Sequence, residues 1–339
     1  MRIANTSTGG DRSWRSQART VVLWSWLTAL TMVVVAAAVV WSWRDALPDP
    51  LASHWGMRPA APDGFMSLRA LVLATVLMVV LPGSLAGAVA WFWGRAATTR
   101  RMAAASCVWF GGFGAGVLLL LAGAQRGLDD ATRATLPGWT VAATLVLPLG
   151  PAVVAALLVG GDRHEPAAGP VAADAARITL AGGERAVWIR RAAGGPGRVV
   201  GAAAMLVVTL LAVALRQWAL LTVPVALIAV FAIMFAFTVR VDATGLTVRS
   251  LAGWPAYHVP ADEVERASVT EVHPMRQFGG WGWRVGRGGR VGIVLRSGGG
   301  LLVQQSGDRS FVVTVDDAAT GAALLNTLAD RARSGPVPR

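Results

Sequence analysis

The residues with the most definite chemical potential stand in a short segment between two apolar runs. His54 is flanked there by two carboxylates, Asp49 and Asp63. An imidazole beside carboxylates can bind a metal ion or titrate near neutral pH. One histidine and two distant carboxylates are a poor ligand set, so we predict no metal site. Two interpretations stay open: His54 hydrogen-bonds within an ordered loop, or it contacts a peptide ligand.

A second candidate is the segment 277–290, which is rich in Gly, Trp and Arg. Glycine lets the backbone approach a surface closely, tryptophan favours the membrane interface, and arginine favours anionic lipid head groups. One interpretation is a loop that contacts the inner leaflet or a protein partner. The other is a long hairpin whose tryptophans pack on their own domain. The candidate contact residues are Trp281, Trp283, Arg284, Arg287 and Arg290.

The sequence contains no recognisable catalytic motif. Neither the nucleophile elbow, nor the zinc-protease helix, nor the phosphate-binding loop is present. His258 and His273 have no nucleophile or paired acid at a recognisable spacing, and His164-Glu165 is followed by Pro166 in a stretch whose Pro, Gly and Ala are typical of a linker. The single cysteine, Cys107, excludes an intrachain disulfide and a multi-cysteine metal site. We therefore predict a protein that is not an enzyme and that uses no cofactor.

The composition indicates that these segments belong to a membrane protein. Hydrophobic residues make up 54% of the 339 residues and charged residues only 15%, whereas soluble domains contain about 25% charged residues. That balance excludes an ordinary soluble enzyme and a disordered chain. The net charge is +12 and every basic residue is an arginine. Because a GC-rich coding bias favours arginine, the arginine count alone does not indicate nucleic acid. Residues 238–339 carry 12 arginines against 9 acidic residues without a basic stripe, so we expect no nucleic-acid partner.

Six apolar runs are long enough to be transmembrane helices, since a bilayer core about 30 Å thick needs about 20 apolar residues. The runs cover residues 20–43, 70–93, 102–124, 138–159, 199–215 and 218–237. Acidic residues and histidine are absent from all six, which argues against a pump or a proton-coupled carrier. Gly111, Gly112, Gly114 and Gly116 in the third run indicate either close helix packing or a substrate path.

The distribution of arginine predicts the topology. Thirteen arginines lie in the N-terminal tail and in the connections that share its side, and six lie in the alternate connections. Since cytoplasmic segments carry the excess of arginine, both termini are predicted to be cytoplasmic. The expected location is the bacterial inner (cell) membrane, which the chain crosses several times.

From residue 238 onward the pattern changes to the alternation typical of strands. It predicts seven short antiparallel strands, over 238–241, 246–250, 255–259, 267–272, 291–296, 300–304 and 310–315. A final helix follows, with Asp316 as its N-cap and Ala318, Ala322 and Leu325 on one face. The predicted fold class is thus a polytopic helical membrane protein with six transmembrane helices and a cytoplasmic β-rich module that ends in a helix.

The predicted domain organisation follows from these boundaries. It comprises a cytoplasmic tail over 1–19, a four-helix membrane domain over 20–160 with an outside loop over 44–69, a linker over 161–176, a strand segment over 177–198, a transmembrane hairpin over 199–237, a cytoplasmic module over 238–333 and a tail over 334–339.

The outside loop carries a specific pattern of residues. Residues 47–56 read L-P-D-P-L-A-S-H-W-G, and residues 62–65 read P-D-G-F. Over residues 20–95 this arrangement resembles the bacterial membrane family known as domain of unknown function 1648. The chain departs from the family at 57–61, where a glycine usually precedes the turn, and it lacks the lysine that commonly follows the turn.

That resemblance implies a function and a set of contact residues. Some members of the family are similar to immunity proteins, which protect a producing cell from its own secreted peptide toxin and relay the presence of the toxin to a repressor. The candidate ligand contacts in the outside loop are then Pro48, His54, Trp55 and Asp63.

The C-terminal module carries a second resemblance. The segments 241–248, 259–264, 278–284 and 311–317, which follow a two-helix membrane hairpin, are similar to bacterial pleckstrin-homology-like domains. The similarity covers residues 175–333 and implies that the segment 178–189, which contains Gly183-Glu184, pairs with the C-terminal sheet. Many such domains bind proteins or pack on the membrane.

The expected function is that of a non-enzymatic membrane sensor or immunity-type signalling protein. A scaffold or accessory subunit of a membrane complex is the alternative, and a transport protein is a further one. The expected partners are the lipid bilayer, a peptide or envelope ligand outside, and a protein partner or an anionic lipid inside.

Overall fold

The computed structural model describes residues 8–56, 61–181, 183–214 and 234–334 except 254, together with residues 221, 224, 225, 227, 228 and 231. The chain divides into two compact units, Met1–Asp162 and Arg163–Arg339. Parts of both predicted tails, the turn between the fifth and sixth apolar runs and half of the sixth run lie outside the described residues.

The first unit is built from helices and one small β-hairpin. Its elements are α1 (Thr8–Ser42), β1 (Leu51–His54), β2 (Gly64–Met66), α2 (Leu68–Trp93), α3 (Ala97–Gly123), α4 (Gly138–Val146) and α5 (Leu149–Leu158). The helix α1 begins inside the segment that the sequence predicts as a tail. The helices α4 and α5 form one apolar stretch that is interrupted at Pro148, because proline cannot continue the backbone hydrogen-bond ladder of a helix.

Among the described residues, five helical stretches are long and apolar enough to cross a membrane. Four lie in the first unit, and the fifth is α6 (Pro196–Ala214) of the second unit. The chain therefore has the character of a multi-pass membrane protein. Half of the sixth predicted span lies outside the described residues.

The glycines of α3 are packing positions. A Cβ atom at Gly111 would lie 2.5 Å from Ala29 Cα, and one at Gly114 would lie 2.5 Å from Val79 Cγ2. Only glycine lets α3 approach α1 and α2 this closely. These contacts match the packing interpretation of the glycine-rich run.

A buried arginine, Arg100, lies near the connection between α2 and α3. Arg100 donates to the carbonyl oxygens of Gly94 and Arg95, at 2.7 and 2.6 Å, and to Asp162 Oδ1 at 3.1 Å. The same Asp162 oxygen accepts the backbone N–H of Ala97 at 2.7 Å. The guanidinium thus satisfies carbonyl groups that the end of α2 leaves free.

The second unit contains two sheets and a C-terminal helix (Ala318–Ser334). One sheet consists of β3 (Trp188–Ala193), β4 (Ala236–Asp242), β5 (Gly245–Ser250) and β6 (Ala256–Pro260), antiparallel and adjacent in that order. The other consists of β7 (Val264–Val272), β8 (Gly282–Val285), β9 (Val291–Val294), β10 (Gly298–Gln305) and β11 (Arg309–Thr314), in the order β7-β10-β11-β9-β8. The rings of Tyr257 and Phe311 stack 4.4 Å apart and join the two sheets.

The seven predicted strands are all present, but three details of the prediction are wrong. The strands β9 and β11 pair in parallel, so the module is not purely antiparallel. An additional strand, β8, lies within the segment expected to be a loop. The C-terminal helix begins at Ala318, so that Asp317 rather than Asp316 precedes it and accepts the Thr320 hydroxyl at 2.6 Å. Asp316 instead forms an ion pair with Arg296.

The strand that precedes α6 lies later in the chain than predicted. Pairing with β4 begins at Trp188 and continues to Ala193, so only two residues of the predicted segment 178–189 take part. The Trp188 ring packs against Gly321 of the C-terminal helix, where a Cβ atom would lie 3.0 Å from it. This contact fixes the point at which the chain enters the sheet.

The described part of the segment expected to be a linker contains no helix or strand, yet it packs along the second unit. The N–H groups of Ala167 and Ala172 donate to the carbonyls of Asp262 and Glu265, at 2.9 and 3.2 Å. His164 lies between two carboxylates, with Nε2 2.9 Å from Asp262 Oδ2 and Nδ1 3.1 Å from Glu263 Oε1. These polar contacts hold the segment in place.

Candidate functional site

The sequence motif of the first loop forms the hairpin β1–β2. Leu51 pairs with Met66, Ala52 with Phe65 and His54 with Gly64, with an irregularity between Ala52 and His54. A Cβ atom at Gly64 would lie 2.8 Å from His54 Cβ. Glycine at this position therefore allows the two strands to approach each other, which gives a structural reason for part of the P-D-G-F sequence.

His54 and Asp63 form an accessible pair on this hairpin. His54 Nδ1 lies 2.6 Å from Asp63 Oδ1, and the side chains are 70% and 55% exposed. The backbone N–H of Asp63 donates to the His54 carbonyl at 3.0 Å. The interpretation of His54 as a hydrogen-bonding residue of an ordered loop fits this geometry, while both side chains remain open to a ligand. Among the described residues no group of three potential ligands could hold a metal ion.

A residue that the sequence analysis missed fixes the hairpin to α3. Gln125 follows the end of α3 and is fully buried. Its Oε1 accepts the N–H of Ala52 at 2.7 Å, and its Nε2 donates to the Ala52 carbonyl at 2.8 Å and to the Leu121 carbonyl at 3.0 Å. The amide thus pairs with β1 as a neighbouring strand would. A lone glutamine beside an apolar run was the only signal in the sequence.

The other two predicted contacts of the first loop are structural positions. Pro48 is buried. Trp55 is half-buried, and its Nε1 donates to the Ala134 carbonyl at 3.1 Å. Its ring packs on a small cluster formed by Ala52, Ala131 and Ala134. Trp55 therefore supports the hairpin and Pro48 is buried, whereas the side chains of His54 and Asp63 are exposed.

A short turn beneath the hairpin carries a carboxylate with a perturbed pKa. Asp130 precedes the turn Ala131–Arg133 and accepts the Thr132 N–H at 2.8 Å and the Thr132 hydroxyl at 2.7 Å. These hydrogen bonds, first that of the backbone N–H, lower the pKa of Asp130 below its usual value, and nearby Arg133 adds to the effect. The ionised carboxylate thereby stabilises the turn on which the hairpin cluster packs.

The second predicted segment, 277–290, is only partly a loop. Its first two residues belong to a single π-helical turn (Pro274–Phe278), and it contains β8 and a short turn at Arg287–Gly289. Trp283 is 4% exposed, and its ring meets those of Phe237 and Tyr257 with centroids 6.0 and 6.4 Å apart. Trp283 therefore packs on its own domain, which agrees with the second interpretation of this segment.

Trp281 and the arginines differ from Trp283 in exposure. Trp281 is half-buried, and Arg284 is exposed with its Nε donating to the Trp281 carbonyl at 2.8 Å. The exposed Arg287 and Arg290 line a cavity of about 230 Å³. Arg276 also lines this cavity. It was not among the predicted contacts, because it lies one residue before the segment 277–290.

Comparison of the chain with protein-family models, with curated proteins and with solved structures finds no match. Two groups of accessible side chains could therefore indicate the function: the pair His54–Asp63 in the first unit and the arginine-lined cavity in the second.

Proposed function

We propose that the chain is a non-enzymatic sensor or immunity-type signalling protein of the bacterial cell membrane, related to the domain of unknown function 1648 family. In this proposal both termini are cytoplasmic and the hairpin β1–β2 lies outside, where it meets a secreted peptide. The C-terminal unit is then a pleckstrin-homology-like module that contacts a protein partner. The apolar stretches support a multi-pass membrane protein. The cytoplasmic placement of both termini requires the sixth predicted span over 218–237 as well, and it is supported by the excess of arginine in the N-terminal tail and in the connections that share its side.

The observation that carries the proposal is the accessible pair His54–Asp63 on a firmly held hairpin. The imidazole and the carboxylate are 70% and 55% exposed, while the backbone beneath them is tied down by Gln125 and Trp55. Binding residues are commonly placed on loops that a rigid scaffold positions. A peptide that offers both a donor and an acceptor could replace the internal hydrogen bond with two of its own.

The attachment of the hairpin to α3 supplies a route for a signal. Gln125 connects β1 to the end of α3, and α3 packs closely on α1 and α2 through Gly111 and Gly114. Tightly packed helices shift between discrete arrangements rather than deform continuously. A peptide that prefers one arrangement of the hairpin would therefore shift the population of helix packings, provided that its affinity differs between them.

The test compares cells that produce the full chain with cells that produce two matched double variants. The first variant, His54→Ala with Asp63→Ala, removes the exposed pair. The second, Arg44→Ala with Asp45→Ala, removes another exposed pair of the same loop. Its atoms Arg44 Nη2 and Asp45 Oδ2 lie 3.3 Å apart, outside the hairpin. Growth inhibition is measured with a panel of secreted antibacterial peptides, and the amount of each variant in the membrane is measured by immunoblotting.

We expect the unaltered chain and the Arg44/Asp45 variant to raise the inhibitory concentration of a peptide in the panel, and the His54/Asp63 variant to lose that protection at equal abundance. Equal protection by both variants would contradict the role of the pair. Absence of protection against every peptide, together with a stable protein complex on purification, would favour a scaffold instead.

A further inference from the structure

Positive charge in one part of the second unit is not balanced by acidic residues. Between positions 272 and 295 the chain contains four arginines and no aspartate or glutamate. Three of these arginines, Arg276, Arg287 and Arg290, line the same cavity. A concentration of one sign of charge in a concave site attracts ligands of the opposite sign.

Other arginines of this unit are neutralised. Arg296 pairs with Asp316, Arg309 Nη2 lies 2.8 Å from Glu263 Oε2, and Arg177 Nε lies 2.7 Å from Asp330 Oδ2. Within the described part of the chain, by contrast, none of the three cavity arginines forms an ion pair with an acidic side chain. The cavity therefore offers guanidinium groups whose charge no neighbouring carboxylate satisfies.

The backbone beneath these arginines is held by specific packing. The Phe278 ring, which is 7% exposed, forms part of the cavity wall and belongs to an apolar cluster with Val272, Val294 and Val312. A Cβ atom at Gly286 would lie 2.7 Å from this ring, and one at Gly292 would lie 2.6 Å from it. The two glycines thus let the chain on either side of Arg287 and Arg290 pack directly on Phe278.

A second wall residue is fixed by hydrogen bonds. Gln277 Oε1 accepts the N–H of His273 at 3.1 Å, and its Nε2 donates to the Glu271 carbonyl at 3.3 Å. The backbone N–H of Gly286 also donates to the Arg290 carbonyl at 2.8 Å, which closes the turn that carries Arg287. The arginines therefore project from a preorganised surface, which reduces the entropy lost on binding.

We propose that this cavity binds a phosphate-bearing anion, with Arg276, Arg287 and Arg290 as its ligands. The planar guanidinium group donates paired hydrogen bonds to phosphate oxygens. The volume of about 230 Å³ is smaller than the roughly 300 Å³ or more of pockets for drug-sized molecules and suits a phosphomonoester group. That group can come from a lipid head group or from a soluble phosphate, and both present the same oxygens.

The experiment measures binding to the purified full chain in neutral detergent with three probes. Inorganic phosphate represents the soluble source, dihexanoyl phosphatidic acid represents the lipid source, and dihexanoyl phosphatidylcholine is the control without a phosphomonoester. The test variant is Arg287→Gln with Arg290→Gln. The matched control is Arg191→Gln with Arg249→Gln, which removes the same charge at two exposed positions of the other sheet.

We expect a phosphate probe to bind the unaltered chain and the Arg191/Arg249 control, and the Arg287/Arg290 variant to bind it about tenfold more weakly or worse, as the loss of charge-assisted hydrogen bonds implies. A third variant, Arg287→Lys with Arg290→Lys, keeps the charge without the paired donors and should bind with intermediate affinity. The four arginines that are replaced by glutamine are all exposed. We therefore expect both glutamine variants to fold, so that a difference in binding reflects the cavity.

The probes separate the two sources of phosphate. Binding of inorganic phosphate identifies a soluble ligand, and binding of phosphatidic acid alone identifies a lipid head group. No binding of either probe, or an equal loss in both glutamine variants, overturns the proposal. The cavity and the hairpin belong to different units, so this result does not depend on the proposed role of the hairpin.

Discussion

The hairpin β1–β2 and the segment around the arginine-lined cavity use their polar groups in opposite ways. On the hairpin the exposed charges are paired with each other, His54 with Asp63 at 2.6 Å. Around the cavity the backbone is also held by packing and hydrogen bonds, but Arg276, Arg287 and Arg290 form no ion pair with an acidic side chain among the described residues. The difference indicates recognition by shape and hydrogen bonding at the hairpin and recognition by charge at the cavity.

The largest expected effect concerns the anchor of the hairpin. Replacing Gln125 by leucine leaves the N–H and the carbonyl of Ala52 buried without their partner. Each unsatisfied buried group costs about 1 kcal/mol or more, so the hairpin should lose about 2 kcal/mol of local stability. Hydrogen exchange of residues 51–54 in the full chain measures this loss as roughly thirtyfold faster exchange.

The control for Gln125→Leu is the same chemical change at Gln304, which is exposed on β10. Gln304→Leu should leave exchange in the hairpin unchanged. If the hairpin of Gln125→Leu stays as protected as that of the control, Gln125 does not hold it, and the proposed route from the hairpin to α3 fails as well.

The second prediction tests the apolar support of the cavity. A methyl group at Gly292 would lie 2.6 Å from the Phe278 ring, so Gly292→Ala should force the ring out of its cluster. Overpacking of this kind costs about 1–3 kcal/mol. We expect a lower thermal midpoint of the second unit and weaker binding of phosphate probes, because the ring also lines the cavity.

Gly299 provides the matched position, since nothing lies within 4 Å of a Cβ atom built there. Gly299→Ala should keep both the thermal midpoint and phosphate binding. Loss of stability in Gly292→Ala without any change in binding would show that Phe278 supports the fold but not the cavity, which would weaken the contrast drawn between the two segments.

The sequence predicted the elements of both units better than it predicted their contacts. The apolar runs and the alternating strands correspond to physical periodicities that a single chain displays, and the described helices and strands follow them closely. The parallel pairing of β9 with β11 left no comparable signal, because pairing direction depends on how distant segments meet. The strand β8 was hidden among glycines, which lower strand propensity.

The candidate sites show the same division between local and distant information. Asp63 was expected to be distant from His54, but the hairpin brings Asp63 Oδ1 to 2.6 Å from His54 Nδ1. Gln125 is 73 positions away from Ala52, and nothing in the local pattern links the two. For Trp283 the sequence left contact with a membrane surface and packing on its own domain as alternatives, and tertiary packing places its ring in the interior.

The smallest expected effect is an acid transition beneath the hairpin. The pKa of Asp130 is lowered from its usual 3.8, so its ionised form stabilises the folded turn at any pH above that value. This stabilisation is lost as the pH falls through the lower pKa of the folded state. Hydrogen exchange of the hairpin, corrected for intrinsic rates, should therefore be constant from neutral pH to about pH 4 and should increase modestly below it.

Asp130→Asn isolates this contribution, because the amide oxygen can still accept the Thr132 N–H while the group no longer titrates. All other groups are the same in both proteins, so their contributions cancel in the comparison. An acid transition of equal size in Asp130→Asn would show that Asp130 does not cause it. A transition confined to the unaltered chain would give the hairpin an acid-sensitive support, which would sharpen its contrast with the cavity, whose proposed ligands are arginines.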